Sequence, residues 1–314
     1  MQVDFRGIDW LSFFREYGLV ERAKRQRRNK KGQELVNVFS AFDIETSTVW
    51  LSNENTDAHA FMYVWQFQIE DYLIKGRTWD EWFDLLGVLR KALCDLGNEL
   101  KLPENPMLVC WIHNASFEFA FISGVYPFKD EECFFRDARK PIYFRMFEAF
   151  EFRCSYIQTN LSLAALTKQT GVKLKLSGQK FDYNKIRFPW TKLSDFEEEY
   201  TTTDVESLVK AMKYRVQRGG DTLLTVPLTS TGYVRRECKA ALKDRYLQIN
   251  DLKPYKGENG VRIYKLLRAC FRGGNTHGNR RYVGDICKDV YSYDIASSYP
   301  TQQLTKKFPM KPFK

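Results

Sequence analysis

Hydrophobic and polar residues alternate with two different periods between positions 37 and about 215. Large apolar side chains at every second position over 61–69 have the period of a strand, and longer segments have the three-to-four-residue period of a helix. The predicted strands are 38–44, 61–69, 107–112, 142–147 and 150–157, the last two as a hairpin. The predicted helices are 79–96, 115–123, 161–170 and 193–216. This order predicts an α/β protein with a mixed sheet flanked by helices.

Two shifts in composition flank this α/β region. Residues 1–36 contain a short amphipathic segment, followed by a run at 22–31 with seven cations and no acid. That run is typical either of a solvent-exposed, partly disordered extension or of a segment that binds phosphate groups. Gly219 and Gly220 end the helical pattern, and the chain becomes more basic beyond them. We therefore predict a basic N-terminal extension (1–36), a central domain (37–218) and a C-terminal segment (219–314).

Composition limits the possible partners and ligands. The chain has 314 residues, a formal net charge of +10 and a pI near 9.1, which favours an anionic partner, nucleic acid or membrane surface. No apolar stretch approaches the ~20 residues of a membrane span, and no signal peptide is evident, so we expect no membrane association. Seven scattered cysteines without a C-x-x-C pair indicate free thiols in a reducing compartment such as the cytoplasm. With only three histidines, a metal site must use carboxylates, which favours Mg²⁺ or Mn²⁺.

Four acidic residues occupy positions that could converge on such a metal. Asp43 and Glu45 project from the same face of a predicted strand, because side chains two residues apart share a face. Glu118 follows another apolar run, and Asp204 lies one helical turn after Tyr200, on the same helix face. Four carboxylates from two strands and a helix could hold two divalent ions about 4 Å apart, the arrangement that hydrolyses phosphodiesters.

The order of these residues resembles a known group of enzymes. Asp43-x-Glu45, Asn114-x-x-Phe117-Glu118 and Tyr200-x-x-x-Asp204 are similar to the three motifs of the DEDDy proofreading exonucleases. Three further segments extend the resemblance to the protein-primed family B DNA polymerases of bacteriophages. They are Ser162-Leu163-Ala164-Ala165-Leu166, Phe271-Arg272-Gly273-Gly274 and Asp294-Ile295-Ala296-Ser297-Ser298-Tyr299-Pro300, the last of which resembles polymerase motif A.

The resemblance implies a fold and an activity. The fold would be an RNase H-like exonuclease domain followed by the beginning of a polymerase palm. The activity would be removal of 3′-terminal nucleotides from single-stranded DNA with two Mg²⁺ or Mn²⁺ ions bound by Asp43, Glu45, Glu118 and Asp204. Tyr200 would orient the attacking water, because a phenol with a pKa near 10 is a poor base at neutral pH.

The resemblance also implies roles in DNA binding. The residues expected to bind the frayed primer strand are Thr46, Asn114, Phe117, Ser162, Leu163 and Tyr183. Arg272, Gly273 and Gly274 would contact DNA between two active sites. Asp294 would be a polymerase metal ligand, and Tyr299 would pack against an incoming nucleotide. His113 could assist at the exonuclease site or simply be a core histidine.

Several features depart from the family pattern. The acid of the second motif is usually Asp, whereas this chain has Glu118, and the expected catalytic lysine could be Lys175 or Lys180. The later polymerase motifs, K-x-x-x-N-S-x-Y-G and Y-x-D-T-D, do not occur before Lys314. We therefore expect the N-terminal part of a polymerase, or one half of a split polymerase, that does not polymerise alone.

The resemblance suggests partners, and two other functions remain as alternatives. Expected partners are single-stranded DNA, primer–template DNA, a terminal protein that primes synthesis and a second chain with the rest of the polymerase; for a viral protein, the host cytoplasm would be the location. A stand-alone DEDDy exonuclease is one alternative, although it would not need a motif such as 294–300. The other is a non-catalytic DNA-binding module with a decayed site, which a metal titration would distinguish.

Overall fold

The computed structural model describes residues 2–21, 33–50, 58–172, 181–241, 258–270 and 280–307. The contacts between Cα atoms divide the chain into two compact units, Met1–Val234 and Arg235–Lys314. The basic run at 22–31 lies outside the described residues, and the three-part division of the chain stays a prediction.

A seven-stranded mixed sheet forms the centre of the first unit. Its strands are β1 (Ser40–Trp50), β2 (Ala58–Ile69), β3 (Tyr72–Gly76), β4 (Leu108–Ile112), β5 (Cys133–Asp137), β6 (Lys140–Met146) and β7 (Phe150–Cys154). The spatial order is β3-β2-β1-β4-β7-β6-β5. The central pairs β1–β4 and β4–β7 are parallel, and all other pairs are antiparallel. The mixed sheet predicted from the sequence is confirmed.

Helices cover both faces of this sheet. They are α1 (Trp10–Tyr17), α2 (Trp79–Glu99), α3 (Ser116–Ile122), α4 (Ser155–Thr159), α5 (Leu163–Thr170) and α6 (Asp195–Arg218). Helix α7 (Ser230–Ala241) follows α6 along the chain. The four predicted helices are confirmed as α2, α3, α5 and α6, with ends that differ by at most three residues.

Helix α6 shows why these segments are helical. It begins with a capping box, in which Ser194 accepts from the Glu197 N–H and the Glu197 carboxylate accepts from the Ser194 N–H. Acidic residues occupy its first turn and arginines its last, which suits the helix dipole. It ends before Gly219 and Gly220, and Gly220 has the positive φ of 64° that glycine adopts most readily.

The alternation of β1 places its acids on one side of the sheet. Phe42 and Ile44 belong to the hydrophobic cluster that includes α2, whereas Ala41 belongs to the cluster that includes α5 and α6. Because side chains two residues apart share a face, Asp43 and Glu45 project toward the α6 side. Asp43 and Glu45 therefore both face α6, the helix that carries Tyr200 and Asp204.

The N-terminal residues contribute to the first of these clusters. Phe5, Trp10 and Phe14 are all less than 7% exposed and pack among the residues of that cluster. The indole nitrogen of Trp10 donates to the Phe5 carbonyl at 2.9 Å. Part of the segment 2–21 therefore belongs to the core of the first unit, which the composition of the segment did not indicate.

Other local predictions need correction. The predicted strand 150–157 ends at Cys154, where the chain turns into α4. Strands β3 and β5 were not predicted, since they are five residues long and lack a clear apolar alternation. In β2 the alternation is interrupted, because Glu45 pairs with Val64 and Thr46 pairs with Met62. This bulge places Met62, rather than Phe61, on the core side.

The described residues of the second unit include α8 (Glu258–Cys270), α9 (Ser298–Thr305) and a 3₁₀ turn at Arg280–Tyr282. Asp294 lies in the exposed segment before α9, and Tyr299 in the first turn of α9 is 67% exposed. Among all described residues, no helix is both long and apolar enough to cross a bilayer.

Candidate active site

Three carboxylates converge between β1 and α6. Asp43 and Glu45 come from the α6 side of β1, and Asp204 comes from the face of α6 that packs on the sheet. One oxygen from each carboxylate lies within 4.8 Å of the other two. Asp204 is only 7% exposed, so burial would make its charge costly without a cation. The structure thus places together three of the four acids predicted to bind metal.

Glu118 lies beside this group and has an unusual environment. It is the third residue of α3, directly beyond the end of β4, and is 3% exposed. Its burial, together with the nearby Asp43 carboxylate, raises the pKa of Glu118 well above its usual value. Its Oε2 atom is buried and has no hydrogen-bond partner within the described part of the chain.

These four carboxylates fit a divalent cation of the Mg²⁺ or Mn²⁺ type. The donor set consists of carboxylate oxygens alone, which such hard ions prefer. A cation would relieve the repulsion between Asp43 and Glu118. It would also bind the Glu118 oxygen that has no hydrogen-bond partner among the described residues. Asp43, Glu45 and Asp204 would hold such an ion, and Glu118 adds a fourth carboxylate next to Asp43.

Tyr200 lies one turn before Asp204 on the same face of α6. It is 2% exposed, and its ring stacks on Phe181 with centroids 4.4 Å apart. Its hydroxyl is 2.8 Å from the hydroxyl of Tyr183, which is 64% exposed. The two tyrosines therefore connect the interior of the site with its surface.

A buried ion pair holds the segment that carries these aromatic rings. Arg187 is 2% exposed, and its guanidinium binds Glu197 at the start of α6 with an N–O distance of 2.7 Å. The guanidinium also lies 4.5 Å from the centre of the Phe181 ring. Burial opposes ionisation of Glu197, but hydrogen bonds from Lys185, the Ser194 N–H and Arg187 outweigh it and bring the pKa of Glu197 to about 2.

The carboxylates and tyrosines open into one cavity of about 390 Å³. Most of the residues predicted to bind DNA line it. The lining is Asp43, Ile44, Glu45, Thr46, His113, Asn114, Phe117, Glu118, Leu163, Tyr183, Tyr200 and Asp204. Phe117 and Tyr183 expose aromatic surface, with 43% and 64% of their areas accessible. A cavity with acids inside and aromatic faces at the surface can accept an anionic, ring-bearing ligand once a cation is bound.

Two neighbouring residues have structural roles that the motifs did not reveal. Ser162 does not line the cavity, and its hydroxyl caps α5 by accepting from the Ala165 N–H at 3.2 Å. The His113 Nδ1 atom lies 3.0 Å from Ser155 Oγ, whose hydroxyl donates to the Ile112 carbonyl at 3.2 Å. Ser155 thus lies between the His113 ring and the last residue of β4.

Sequence reasoning missed the residues that support the cavity wall. Phe181, Arg187 and Tyr63 carry no motif, and Tyr63 is a buried bulge residue next to Glu45. Burial, followed by the Glu45 charge, raises the pKa of Tyr63. The capping box at Ser194 and Glu197 was a readable signal, since S-x-x-E marks a helix start. The Arg187–Glu197 pair joins a loop to a helix, so no spacing rule reveals it.

Other predicted site residues lie outside the cavity or outside the described residues. Asp294 and Tyr299 belong to the second unit and are exposed, and Asp294 is in none of the acidic clusters found among the described residues. The remaining predicted residues, Lys175, Lys180, Arg272, Gly273 and Gly274, lie outside the described residues.

Comparisons with known proteins give a likeness in fold. No family model matches the chain, and no curated protein matches it. Among solved structures, Phi29 DNA polymerase complexed with single-stranded DNA superposes with a TM-score of 0.56 at 14% identity. Its complex with primer–template DNA gives a TM-score of 0.54 at 14% identity. Each comparison covers 78% of this chain and 41% of the polymerase chain.

The chain shares its fold with part of Phi29 DNA polymerase. The aligned part covers less than half of the polymerase, and at this identity the likeness extends to the fold alone. The α/β architecture predicted from the sequence is therefore confirmed, whereas activity, substrate and partners rest on the site itself.

Proposed function

We propose that this chain carries a metal-dependent 3′-5′ exonuclease that removes terminal nucleotides from single-stranded DNA, with two Mg²⁺ or Mn²⁺ ions per site. The observation that carries the proposal is the convergence of Asp43, Glu45 and Asp204 within 4.8 Å of one another. Supporting it are Glu118 beside them, the order of the motifs, and the fold shared with a polymerase that binds single-stranded DNA.

The cavity residues would bind and orient the 3′ end. Phe117 and Tyr183 present exposed ring faces on which bases can stack, at about 1–3 kcal/mol per base. Thr46 and Asn114 line the same cavity and can bond the 3′-hydroxyl or a phosphate. Leu163 provides an apolar wall, and Ser162 acts by starting α5 beside it.

Tyr200 is placed to orient the attacking water. Its ring is fixed by Phe181, and its hydroxyl is fixed by Tyr183, so the hydroxyl has a defined position within the cavity. Bound divalent ions would supply Lewis-acid stabilisation and a water that ionises near neutral pH. The protein's own contribution is to hold the carboxylates, the phenol and the DNA end in a fixed geometry.

The same proposal includes a wider setting. We place the chain in a DNA polymerase of the protein-primed family B type, with primer–template DNA and a terminal protein as partners. The motif at 294–300 supports this setting, with Asp294 as a polymerase metal ligand and Tyr299 at a nucleotide site. The chain spans 41% of the length of the Phi29 polymerase chains that it matches, so a second chain or segment would supply the rest.

The decisive experiment is digestion of a 5′-labelled single-stranded oligonucleotide with Mg²⁺ or Mn²⁺. We expect a series of labelled products shortened one nucleotide at a time from the 3′ end, and we expect no such products with Asp43→Ala. Asp84→Ala is the matched control, because Asp84 is an exposed carboxylate on α2 whose partner is Arg6. Equal digestion by wild type and Asp43→Ala would contradict the proposal. DNA binding without digestion would identify a non-catalytic binding module instead.

A further inference from the structure

A ladder of three parallel aromatic rings lies on the surface of the first unit. Phe61 stacks on Phe188 with centroids 5.4 Å apart and an interplanar angle of 11°. Phe188 stacks on Trp190 at 5.0 Å and 3°. Trp190 is the outermost ring and is 80% exposed. The stack therefore presents one face of the indole to solvent.

The ladder is rigid because its loop is held by several hydrogen bonds. Arg77 donates to three backbone carbonyls of the loop, at Phe188, Pro189 and Thr191. Thr191 closes the turn, since its hydroxyl accepts from the Phe188 N–H at 2.9 Å. Trp190 therefore lies on a turn whose conformation is fixed by these hydrogen bonds without a ligand.

The ladder lies on the same face of the sheet as the carboxylates. Ser47 follows Glu45 by two residues on β1, about 7 Å further along the strand, and so shares its face. Phe61 is the cross-strand partner of Ser47, and the Ser47 hydroxyl accepts from the Arg187 N–H at 2.9 Å. The bulge in β2 is what brings Phe61 to this face. The ladder thus continues the cavity in the direction in which β1 runs.

Two cations accompany the loop that carries the exposed ring. Arg77 donates to its carbonyls, and Lys192 is exposed two residues after Trp190. An exposed aromatic face on a loop with cations matches the chemistry of single-stranded nucleic acid, in which bases offer ring faces and phosphates offer negative charge.

We propose that Phe61, Phe188 and Trp190 form a stacking platform for a base of the single-stranded DNA, located 5′ of the terminal nucleotide in the cavity. This inference rests on the proposed function, because the exonuclease site fixes where the 3′ end lies. The platform would hold the strand behind the scissile bond and would thereby favour single-stranded over paired ends.

The test measures binding of fluorescent single-stranded oligonucleotides in chelator, so that digestion does not interfere. Trp190→Ala should weaken binding of a twelve-nucleotide strand about fivefold or more, the effect of losing one stacked base. Trp190→Phe should retain most of the affinity. Trp50→Ala is the matched control, because Trp50 is 55% exposed on β1 and stacks on no ring among the described residues.

A second arm identifies the base that stacks. Single abasic positions are moved along the strand from its 3′ end, and wild type is compared with Trp190→Ala. We expect one abasic position, several nucleotides from the end, to weaken wild-type binding while leaving Trp190→Ala unchanged, since each change removes the same contact. Abasic effects of equal size in both proteins at every position would overturn the platform.

The two proposals fail in different ways. If Asp43 is required for digestion but Trp190→Ala binds and digests a twelve-nucleotide strand like wild type, the platform is wrong and the exonuclease stands. If wild type digests no strand, the exonuclease is wrong, whatever the binding data show. A dinucleotide substrate adds a check, because it extends only one nucleotide beyond the scissile bond and its digestion should depend on Trp190 less than that of the twelve-nucleotide strand.

Discussion

The hydroxyl oxygens of Tyr183 and Tyr200 lie 2.8 Å apart and join a loop tyrosine at the cavity mouth to a helix tyrosine in its interior. Tyr183 is 64% exposed, whereas Tyr200 is 2% exposed. Either hydroxyl can donate, so a ligand that bonds to Tyr183 changes what the Tyr200 hydroxyl can offer to water. The proposed binding of DNA at the mouth would therefore influence the position of the phenol inside.

Replacing Tyr200 by Phe should slow hydrolysis without unfolding the protein. The ring would keep its stacking on Phe181, so we expect a change in melting temperature of no more than a few degrees. The rate should fall about 100-fold, the cost of a misplaced reacting group, while the Michaelis constant changes little. Single-turnover digestion of a labelled strand measures the chemical step directly.

Tyr183→Phe provides the matched comparison for Tyr200→Phe. It removes the other hydroxyl of the pair but keeps the exposed ring that we expect to stack on a base. Its rate should fall less than that of Tyr200→Phe. A Tyr183→Phe loss equal to or greater than the Tyr200→Phe loss would show that Tyr200 does not orient the water.

Asp204→Asn should remove metal-dependent hydrolysis while keeping the fold. The amide has the shape of the carboxylate but a weaker affinity for Mg²⁺ or Mn²⁺. Because a bound ion supplies several kcal/mol of charge stabilisation, the rate should fall about 1,000-fold or more. Mn²⁺ binding by calorimetry should weaken in parallel. Unchanged Mn²⁺ affinity would place the metal elsewhere.

Much of the site was predictable because its residues occupy periodic positions on regular elements. Asp43 and Glu45 share a strand face, and Tyr200 and Asp204 share a helix face, so local periodicity already paired them. The fold brings the two pairs together through parallel β1 and β4 with α6 packed across them. The sequence also predicted Phe117 and Tyr183 at the cavity, through the resemblance to known motifs.

The unpredicted features depend on contacts between segments distant in sequence. Arg77 binds carbonyls more than 100 residues away, and no periodicity predicts such a bond. The bulge at Tyr63 reverses the faces of β2, so Phe61 is on the cavity side although simple alternation assigned it to the Trp65 side. The buried role of Trp10 was hidden by its position in a polar, basic segment.

Glu118→Gln should stabilise the protein in the absence of metal. The pKa of Glu118 is raised, so above the usual glutamate value of 4.5 the folded state retains a proton that the unfolded state releases. Stability of the wild type should therefore fall as pH rises above about 4.5, and the amide removes this loss. We expect Glu118→Gln in chelator to melt several degrees higher than wild type at pH 8, at roughly 2–4 °C for each kcal/mol.

The pH and metal dependence of this effect distinguish it from a general change in packing. At pH 4 the two proteins should melt at similar temperatures, because the Glu118 carboxyl is then protonated in wild type as well. Saturating Mg²⁺ or Mn²⁺ should reverse the order at pH 8 if Glu118 helps to bind the ion. A stabilisation that is the same at pH 4 and pH 8 would contradict the raised pKa.

Arg187→Met should destabilise the fold and disturb the site together. Removing one member of a buried ion pair costs about 3–5 kcal/mol, and the loss here should lie toward the lower end because Glu197 keeps Lys185 as a second cationic partner. Lys185→Met removes a partner that is 45% exposed, so it should cost only about 0–1 kcal/mol. Urea unfolding measures both. Arg187→Met should also reduce hydrolysis, since Phe181 would lose the guanidinium that packs on its ring.

The loss of folding stability at acid pH also tests the ion pair between Arg187 and Glu197. The pKa of Glu197 is lowered to about 2 in the folded protein, so its contribution is fully present above its unfolded value near 4.5. That contribution is lost as pH falls from about 4.5 toward 2. Arg187→Met and Lys185→Met should therefore both lose less stability than wild type over this interval, because each removes a hydrogen bond that lowers this pKa. Parallel acid limbs for Arg187→Met and wild type would mean that the pair does not hold the loop to α6.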